Sequence, residues 1–241
     1  MLAPDPSTRF PLTASSCIRV VQDPDAPEFR SAAARLMSDY WRPVFHYLRV
    51  KGYAVADAED VTQEFFTSLW SGSLGLRPDP ARGRFRDYLR VVVSRFAYDR
   101  VVRPKAQERF ERGLPQLSAL MRDEDRAFEP VAGDTPEAAF DRQWKVDIRS
   151  AVRRNLEAYS RGTGDPDDPV RHEIFAAYHF AKQDSDRPRQ EDLAERFRKG
   201  RGFVQNALKV MTSRYEHLLR QEVRDQVGSE DEVEAELRGL C

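Results

Sequence analysis

Cysteine and glycine are both scarce in this sequence. Its 241 residues include two cysteines, Cys17 and Cys241, which lie near opposite ends, and no pair has the spacing of a metal-binding or redox motif. A disulfide-built fold is therefore excluded, and both thiols are expected to be free in a reducing compartment. Only 12 residues are glycine, and the alternating β-branched runs that mark strands are nearly absent. The sequence therefore predicts an all-α protein.

Long apolar runs and catalytic signatures are also missing. No stretch approaches the roughly 18 apolar residues of a membrane span, and the N-terminus has no apolar signal region, so we expect a cytoplasmic protein with no membrane contact. There is no glycine-rich phosphate loop, nucleophile arrangement or metal-ligand spacing. His172 and His179 share one predicted helix without a third ligand nearby. We therefore predict no enzyme, no catalytic residue, no metal site and no cofactor.

Charge is balanced overall but unevenly distributed. The formal net charge is −1, yet residues 82–112 hold ten Arg or Lys against four acids, and residues 187–224 form a second basic block. The acids gather at 57–64, 123–141 and 229–236. Separate basic and acidic blocks favour more than one kind of partner, with nucleic acid a candidate for the basic ones.

Hydrophobic periodicity predicts a series of helices joined by turns. Pro43 is expected to kink or split the first helix. Near the end, QEDLAERF, the turn residues 198–202 and a long helix to 226 have the layout of a helix-turn-helix. We therefore predict two small helical domains with flanking segments. They are a loosely ordered leader at 1–27, a first domain at 28–103, a linker at 104–134 with a short helix near 115–122, a helix-turn-helix domain at 135–226 and an acidic tail at 227–241.

The second predicted helix carries an acidic stripe. In DAEDVTQEFFTSLW, at 57–70, Asp60, Gln63, Glu64 and Thr67 recur at i, i+3, i+4 and i+7, so they share one face. The other side is apolar and is expected to be core, with the place of Phe65 left open. Taken alone, such a face is most often simply solvated. Whether it has a partner depends on what surrounds it in the chain.

The order of motifs supplies that context. A helix ending in KGY is followed by the acidic helix, by ARGRFRDYLRVVVSRFAYDR, by a linker and by the C-terminal helix pair. This order resembles bacterial RNA polymerase sigma factors of the extracytoplasmic function class. PDPARGRFRDYL, TPEAAFDRQW and SRYEHLLRQEVRDQV most resemble its planctomycete-type branch. The resemblance implies a sigma factor that binds core RNA polymerase and directs promoter-specific initiation, with an anti-sigma protein as a further conceivable partner.

The resemblance also implies roles for individual residues. The acidic helix would dock on the clamp helices of the largest polymerase subunit, and the next helix would capture the −10 strand of promoter DNA with cations and planar groups. Arg95 stands where the family often has asparagine, so no base preference is carried over. The implied polymerase-binding residues are Glu59, Asp60, Gln63, Glu64 and Thr67, and the implied −10 residues are Arg86, Arg90, Arg95, Tyr98, Arg100, Arg103, Lys105, Gln107 and Arg109.

The C-terminal helix pair would meet the −35 element in the major groove. Relatives usually have a Gly-hydrophobic-Ser/Thr-Glu-Gly turn and an arginine-rich recognition helix, whereas this turn is RKGRG and this helix has few cations. We therefore expect weak −35 recognition. The residues implied there are Arg198, Lys199, Arg201, Gln205, Asn206, Lys209 and Arg214.

Two other functions stay open at this point. A free-standing helix-turn-helix regulator would use the C-terminal half but would leave the acidic helix without a role. An enzyme acting on nucleic acid would need clustered carboxylates or metal ligands, which do not stand out. A sigma factor binds core polymerase in the absence of DNA, so this measurement separates the sigma-factor hypothesis from the regulator and from the enzyme.

Overall fold

The computed structural model describes residues 14–72, 74, 84–102, 115–181, 184–227 and 229–240. Within these ranges the chain is helical and contains no strand, which confirms the all-α prediction. One 3-10 turn, Asp184–Asp186, lies between α8 and α9. The α-helices are α1 (Ala14–Val20), α2 (Phe29–Val50), α3 (Val55–Ser71), α4 (Phe85–Val102), α5 (Leu117–Leu120), α6 (Asp123–Arg126), α7 (Pro136–Gly162), α8 (Asp168–His179), α9 (Gln190–Arg196), α10 (Arg201–Gln226) and α11 (Glu230–Leu240).

The chain divides into two compact units. The first draws its described residues from Met1–Val146 and Arg224–Ala235, and the second from Asp147–Val223 and Glu236–Cys241. The division falls inside α7, inside α10 and inside α11 rather than in a loop. Each unit has its own set of buried apolar side chains.

Helix α2 provides much of the first unit's core. Its predicted apolar stripe is buried, as are the predicted core residues of α3, and Phe65, whose place was open, is buried too. Phe65 makes edge contacts with Phe66 and with Phe96 of α4. Burial of such aromatic side chains supplies most of the stability of a small helical core. The helical period of the sequence therefore identified this core.

Two details of the first unit differ from the expectations. Helix α2 runs unbroken from Phe29 to Val50 although it contains Pro43, so the expected split does not occur. Pro43 is buried, and packing on both sides of it offsets the one backbone hydrogen bond that proline removes. Residues 14–20, assigned to a loosely ordered leader, form α1, because Cys17 and Ile18 are buried together with Val21.

A buried glutamine joins distant parts of the first unit. The Oε1 atom of Gln226 accepts hydrogen bonds from the Tyr40 hydroxyl at 2.6 Å and from Trp144 Nε1 at 3.0 Å. Gln226 is buried, so these bonds satisfy a polar group that would otherwise be costly to desolvate. Trp144 is itself buried and is therefore a packing anchor of this unit.

The second unit is built around α8, α9 and α10. Ile174 of α8, Leu193 of α9 and Val204 of α10 share one fully buried cluster. A second cluster joins Leu156 of α7 to Phe175 and Met211. The buried apolar residues of α9 and α10, which are Leu193, Val204, Leu208 and Met211, recur with the helical period on the inner face of each helix. No helix in the described ranges is long and apolar enough to cross a membrane.

Candidate functional site

The acidic stripe of α3 is only partly open to solvent. Asp60 is exposed, and Glu59 is half-buried. Gln63, Glu64 and Thr67 are all half-buried and all have partners within the chain. Thr67 turns its hydroxyl back to donate to the Gln63 carbonyl at 2.9 Å. Asp60 is therefore the most accessible of the five residues predicted to bind polymerase.

Glu64 forms an ion pair with Arg100 of α4. Their side chains are 23% and 31% exposed, so the pair lies at the edge of the core. The sequence had assigned Glu64 to a protein partner and Arg100 to DNA. The structure brings the two together and gives each an internal role.

Gln63 is engaged by a segment that comes much later in the chain. Its Oε1 atom accepts a hydrogen bond of 2.7 Å from the backbone N–H of Leu117, the first residue of α5. Leu117 is 1% exposed, and Met121, which directly follows the end of α5, is 7% exposed. Residues 115–129, which we call the strap, thus cover part of the predicted polymerase-binding face.

The strap is also held on α2. Asp125 of α6 is buried and accepts from Arg42 at 2.8 and 3.4 Å, and it caps the Arg122 backbone N–H at 2.8 Å. Phe128 stacks on His46 with ring centroids 3.7 Å apart. Burial lowers the pKa of His46 to about 4, so the imidazole is neutral beneath Phe128 at physiological pH.

Two arginines of α4 that were predicted to touch DNA are paired within the protein. Arg90 contacts Asp141 of α7 at 2.6 Å and Asp87 at 3.1 Å. Arg86 lies over the Trp144 ring at 4.3 Å, with Asp141 at 3.6 Å and only 11% of its side chain exposed. These cations hold α7 against α4. In this arrangement they are poorly placed to meet a phosphate.

Arg95 and Tyr98 are exposed on α4. Tyr98 is 65% exposed, which is unusual for an aromatic side chain of this size. The two residues line an open depression of about 390 Å³ with Lys51, Ser94 and Asp99. The arrangement combines a planar ring with two cations, as single-stranded nucleic acid requires.

Lys51 was missed by the sequence reasoning. It was noted only as part of the KGY that ends α2, and nothing local links it to α4. The structure brings it to the same depression as Tyr98. The remaining predicted −10 residues, Arg103, Lys105, Gln107 and Arg109, lie outside the described residues.

The connection between α9 and α10 has an unusual backbone. Arg198 has φ 51°, the left-handed conformation that glycine usually supplies after a helix. Its N–H donates to the Glu195 carbonyl, and the Lys199 N–H donates to the Ala194 carbonyl. These two bonds are those of a Schellman motif, so the turn is well defined although its central residue is arginine.

The outer face of α10 carries three of the residues implied at the −35 element. Gln205, Asn206 and Lys209 are all exposed. They lie opposite the buried Val204, Ala207 and Leu208. The period of 3.6 residues per turn therefore places these three polar residues on one accessible face of α10.

Most cations around that face have internal partners. Lys199 pairs with Asp167 at 2.8 Å and lies 4.5 Å from the Phe203 ring centre. Arg201 lies 3.4 Å from Glu191 in a largely exposed pair. Arg214 stacks over Tyr159 at 3.9 Å. Arg198 is exposed and has no ion-pair partner among the described residues.

Within the described ranges, no three His, Cys, Asp or Glu side chains are grouped so that they could hold a metal ion. The arrangement offers two kinds of contact surface, an acidic helix face and basic or aromatic patches.

No family model, curated protein or solved structure matches the chain.

Proposed function

We propose that this chain is an RNA polymerase sigma factor of the extracytoplasmic function class. In this proposal α3 docks on the clamp helices of core polymerase through Asp60, α4 captures the −10 strand, and α9 with α10 acts as a helix-turn-helix at the −35 element. The bacterial cytoplasm, where polymerase resides, is the matching location. The domain roles given from the sequence, at 28–103 and 135–226, belong to this proposal.

The observation that carries the proposal is the surface formed by Tyr98, Arg95 and Lys51. An exposed aromatic ring that shares one open depression with two cations fits an unstacked base with its phosphates. It lies on the helix that follows the acidic helix, in the order that sigma factors have. Asp60, exposed on α3, adds a charge suited to a basic partner.

Binding to core polymerase in the absence of DNA is the first test. We expect the wild-type chain to be retained by immobilised core polymerase and Asp60→Arg to be retained at least tenfold less, because reversing an exposed charge adds repulsion across the interface. Asp25→Arg, an equal charge reversal in the exposed turn before α2, is the matched control and should bind normally. A chain that ignores polymerase but binds duplex DNA tightly would instead be a free-standing regulator.

Promoter opening is the second test. Tyr98→Ala should keep polymerase binding but lower open-complex formation about 5- to 150-fold, since stacking on one base contributes about 1–3 kcal/mol. Tyr98→Phe keeps the ring and should open promoters like the wild type. Permanganate footprinting reports the opened bases, and normal footprints from Tyr98→Ala would contradict the role of this surface.

A further inference from the structure

The strap contacts Gln63, which the sequence resemblance assigns to the polymerase contact and which lies on the same stripe of α3 as Asp60. Gln63 has one side-chain carbonyl oxygen, and the Leu117 N–H donates to it at 2.7 Å. Leu117 and Met121 are buried next to this contact. A protein that docked along the whole stripe of α3 would meet α5 before it met Gln63.

The strap is fastened by few contacts. Its helices α5 and α6 have four residues each, too short to be stable on their own. Most of its other side chains are exposed, and its buried residues are Leu117, Met121 and Asp125. Segments with few buried apolar contacts open more readily than the core around them.

The contacts that hold the strap on α2 are mostly polar, and a charged partner can form similar contacts in their place. Asp125 pairs with Arg42, which is 25% exposed. Phe128 rests on His46, and its carbonyl accepts from Arg49 at 3.3 Å. These contacts hold the strap at its far end, on α2, while Leu117 holds it on α3. Loosening the far end removes much of what keeps α5 on Gln63.

We propose that the strap is an autoinhibitory element that closes the Gln63 face of α3, and that core polymerase binds only the chain in which the strap has moved away. This inference rests on the proposed function. Apparent affinity for polymerase is then the intrinsic affinity multiplied by the fraction of chains that are open. If about one chain in ten is open, releasing the strap strengthens binding about tenfold.

The experiment measures binding of full-length variants to core polymerase. Asp125→Ala and Phe128→Ala each remove one fastening of the strap and leave α3 unchanged. Glu124→Ala removes an exposed charge of the same segment and is the matched control. We expect the first two variants to bind about tenfold more tightly than the wild type and Glu124→Ala to bind equally.

Hydrogen exchange of the wild-type chain gives a second measurement that requires no substitution. Amides of residues 117–128 should lose protection when core polymerase is added. Equal or weaker binding by the folded strap variants, or protection that persists in the complex, overturns the inference while wild-type binding still supports the proposed function. If neither the wild type nor any variant binds polymerase, the proposed function fails and the inference fails with it.

Discussion

Arg198 occupies a backbone position that suits glycine. A non-glycine residue in the left-handed region costs about 1–2 kcal/mol, and Arg198 is the one described residue other than glycine with positive φ. We predict that Arg198→Gly raises the free energy of unfolding by up to about 1 kcal/mol, because relief of that cost is partly offset by the greater freedom of glycine in the unfolded chain. Urea unfolding measures this change.

The same substitution should weaken promoter binding by the polymerase complex several-fold, since one phosphate contact is lost. Arg198→Asn is the control. Asparagine tolerates the left-handed conformation but lacks the charge, so this variant should weaken promoter binding by the same factor as Arg198→Gly. Loss of stability in Arg198→Gly would show that arginine is retained there for packing rather than for DNA.

Residue exposure was predictable where it depends on one helix and not where it depends on two. The period of 3.6 residues placed Tyr98 and Gln205 outside and Phe66 inside, as the structure has them. Arg90 and Arg100 each also pair with a carboxylate on another helix, Asp141 and Glu64, which lie far along the chain. A charge pattern within one helix cannot show which cations another helix neutralises.

At the scale of elements, the Glu64–Arg100 pair links α3 to α4. We predict that Glu64→Arg lowers the free energy of unfolding by about 1 kcal/mol, since both side chains are under one-third exposed and the variant places two cations together. Adding Arg100→Glu should restore most of the loss. Asp60→Arg, on the exposed part of the same helix, should change stability by no more than about 0.5 kcal/mol. Denaturant unfolding followed by tryptophan fluorescence compares the variants; an unaffected Glu64→Arg would mean that the pair contributes nothing.

The packing of the strap on α2 should depend on pH through His46. Its folded pKa of about 4 lies below the usual 6.5, so its contribution to stability is complete above pH 6.5 and falls as the pH drops toward 4. The loss by pH 5 is about 2 kcal/mol. Desolvation outweighs the opposing attraction of Asp125, and Arg142, Arg42 and Arg49 act in the same direction as desolvation.

His46→Phe keeps an aromatic ring beneath Phe128 and removes the titrating group. The difference in unfolding free energy between pH 7.5 and pH 5 should therefore be about 2 kcal/mol smaller in His46→Phe than in the wild type. Other groups titrate in both proteins and cancel in the comparison. Identical pH profiles would show that His46 is protonated without disturbing its surroundings.

The elements found from sequence are those with a long apolar period. Helix α3 begins and ends within two residues of the acidic helix predicted at 57–70, and α10 ends at Gln226 as predicted. Helix α6 was not predicted, because four polar residues, DEDR, have no apolar period. Its residue Asp125 caps the Arg122 N–H and pairs with Arg42 of α2. Short segments of this kind take their structure from tertiary contacts rather than from their own sequence.

At the scale of the whole molecule, the domains expected at 28–103 and 135–226 stay a prediction. The first compact unit combines residues that are far apart in the chain, since it includes residues up to Val146 and takes up Arg224–Ala235. The hydrogen bonds that Tyr40 and Trp144 donate to Gln226 help to hold residues 224–235 in the first unit. No local sequence pattern predicts these bonds.

The same pairing of charges limits how the whole chain can bind DNA by itself. The residues implied at the −35 element include five cations, Arg198, Lys199, Arg201, Lys209 and Arg214. Lys199 and Arg201 pair with carboxylates, and Arg214 stacks on Tyr159. Arg198 and Lys209 are exposed without such partners among the described residues. About two phosphate contacts are therefore available at this surface without rearrangement.

We predict weak duplex binding by the full-length chain, with a slope of log K against log salt concentration near −2, because each phosphate contact contributes about −0.9. The dissociation constant at physiological salt should lie in the range of about 10⁻⁴ to 10⁻⁶ M that is typical of non-specific binding. Lys209→Ala should reduce the slope by about one contact, whereas Lys199→Ala should leave it unchanged because Lys199 is paired with Asp167. Fluorescence anisotropy over a salt series measures both quantities. Nanomolar, sequence-specific binding with a slope steeper than about −4 would mean that the paired cations are released to DNA, and the chain would then act as a regulator without polymerase.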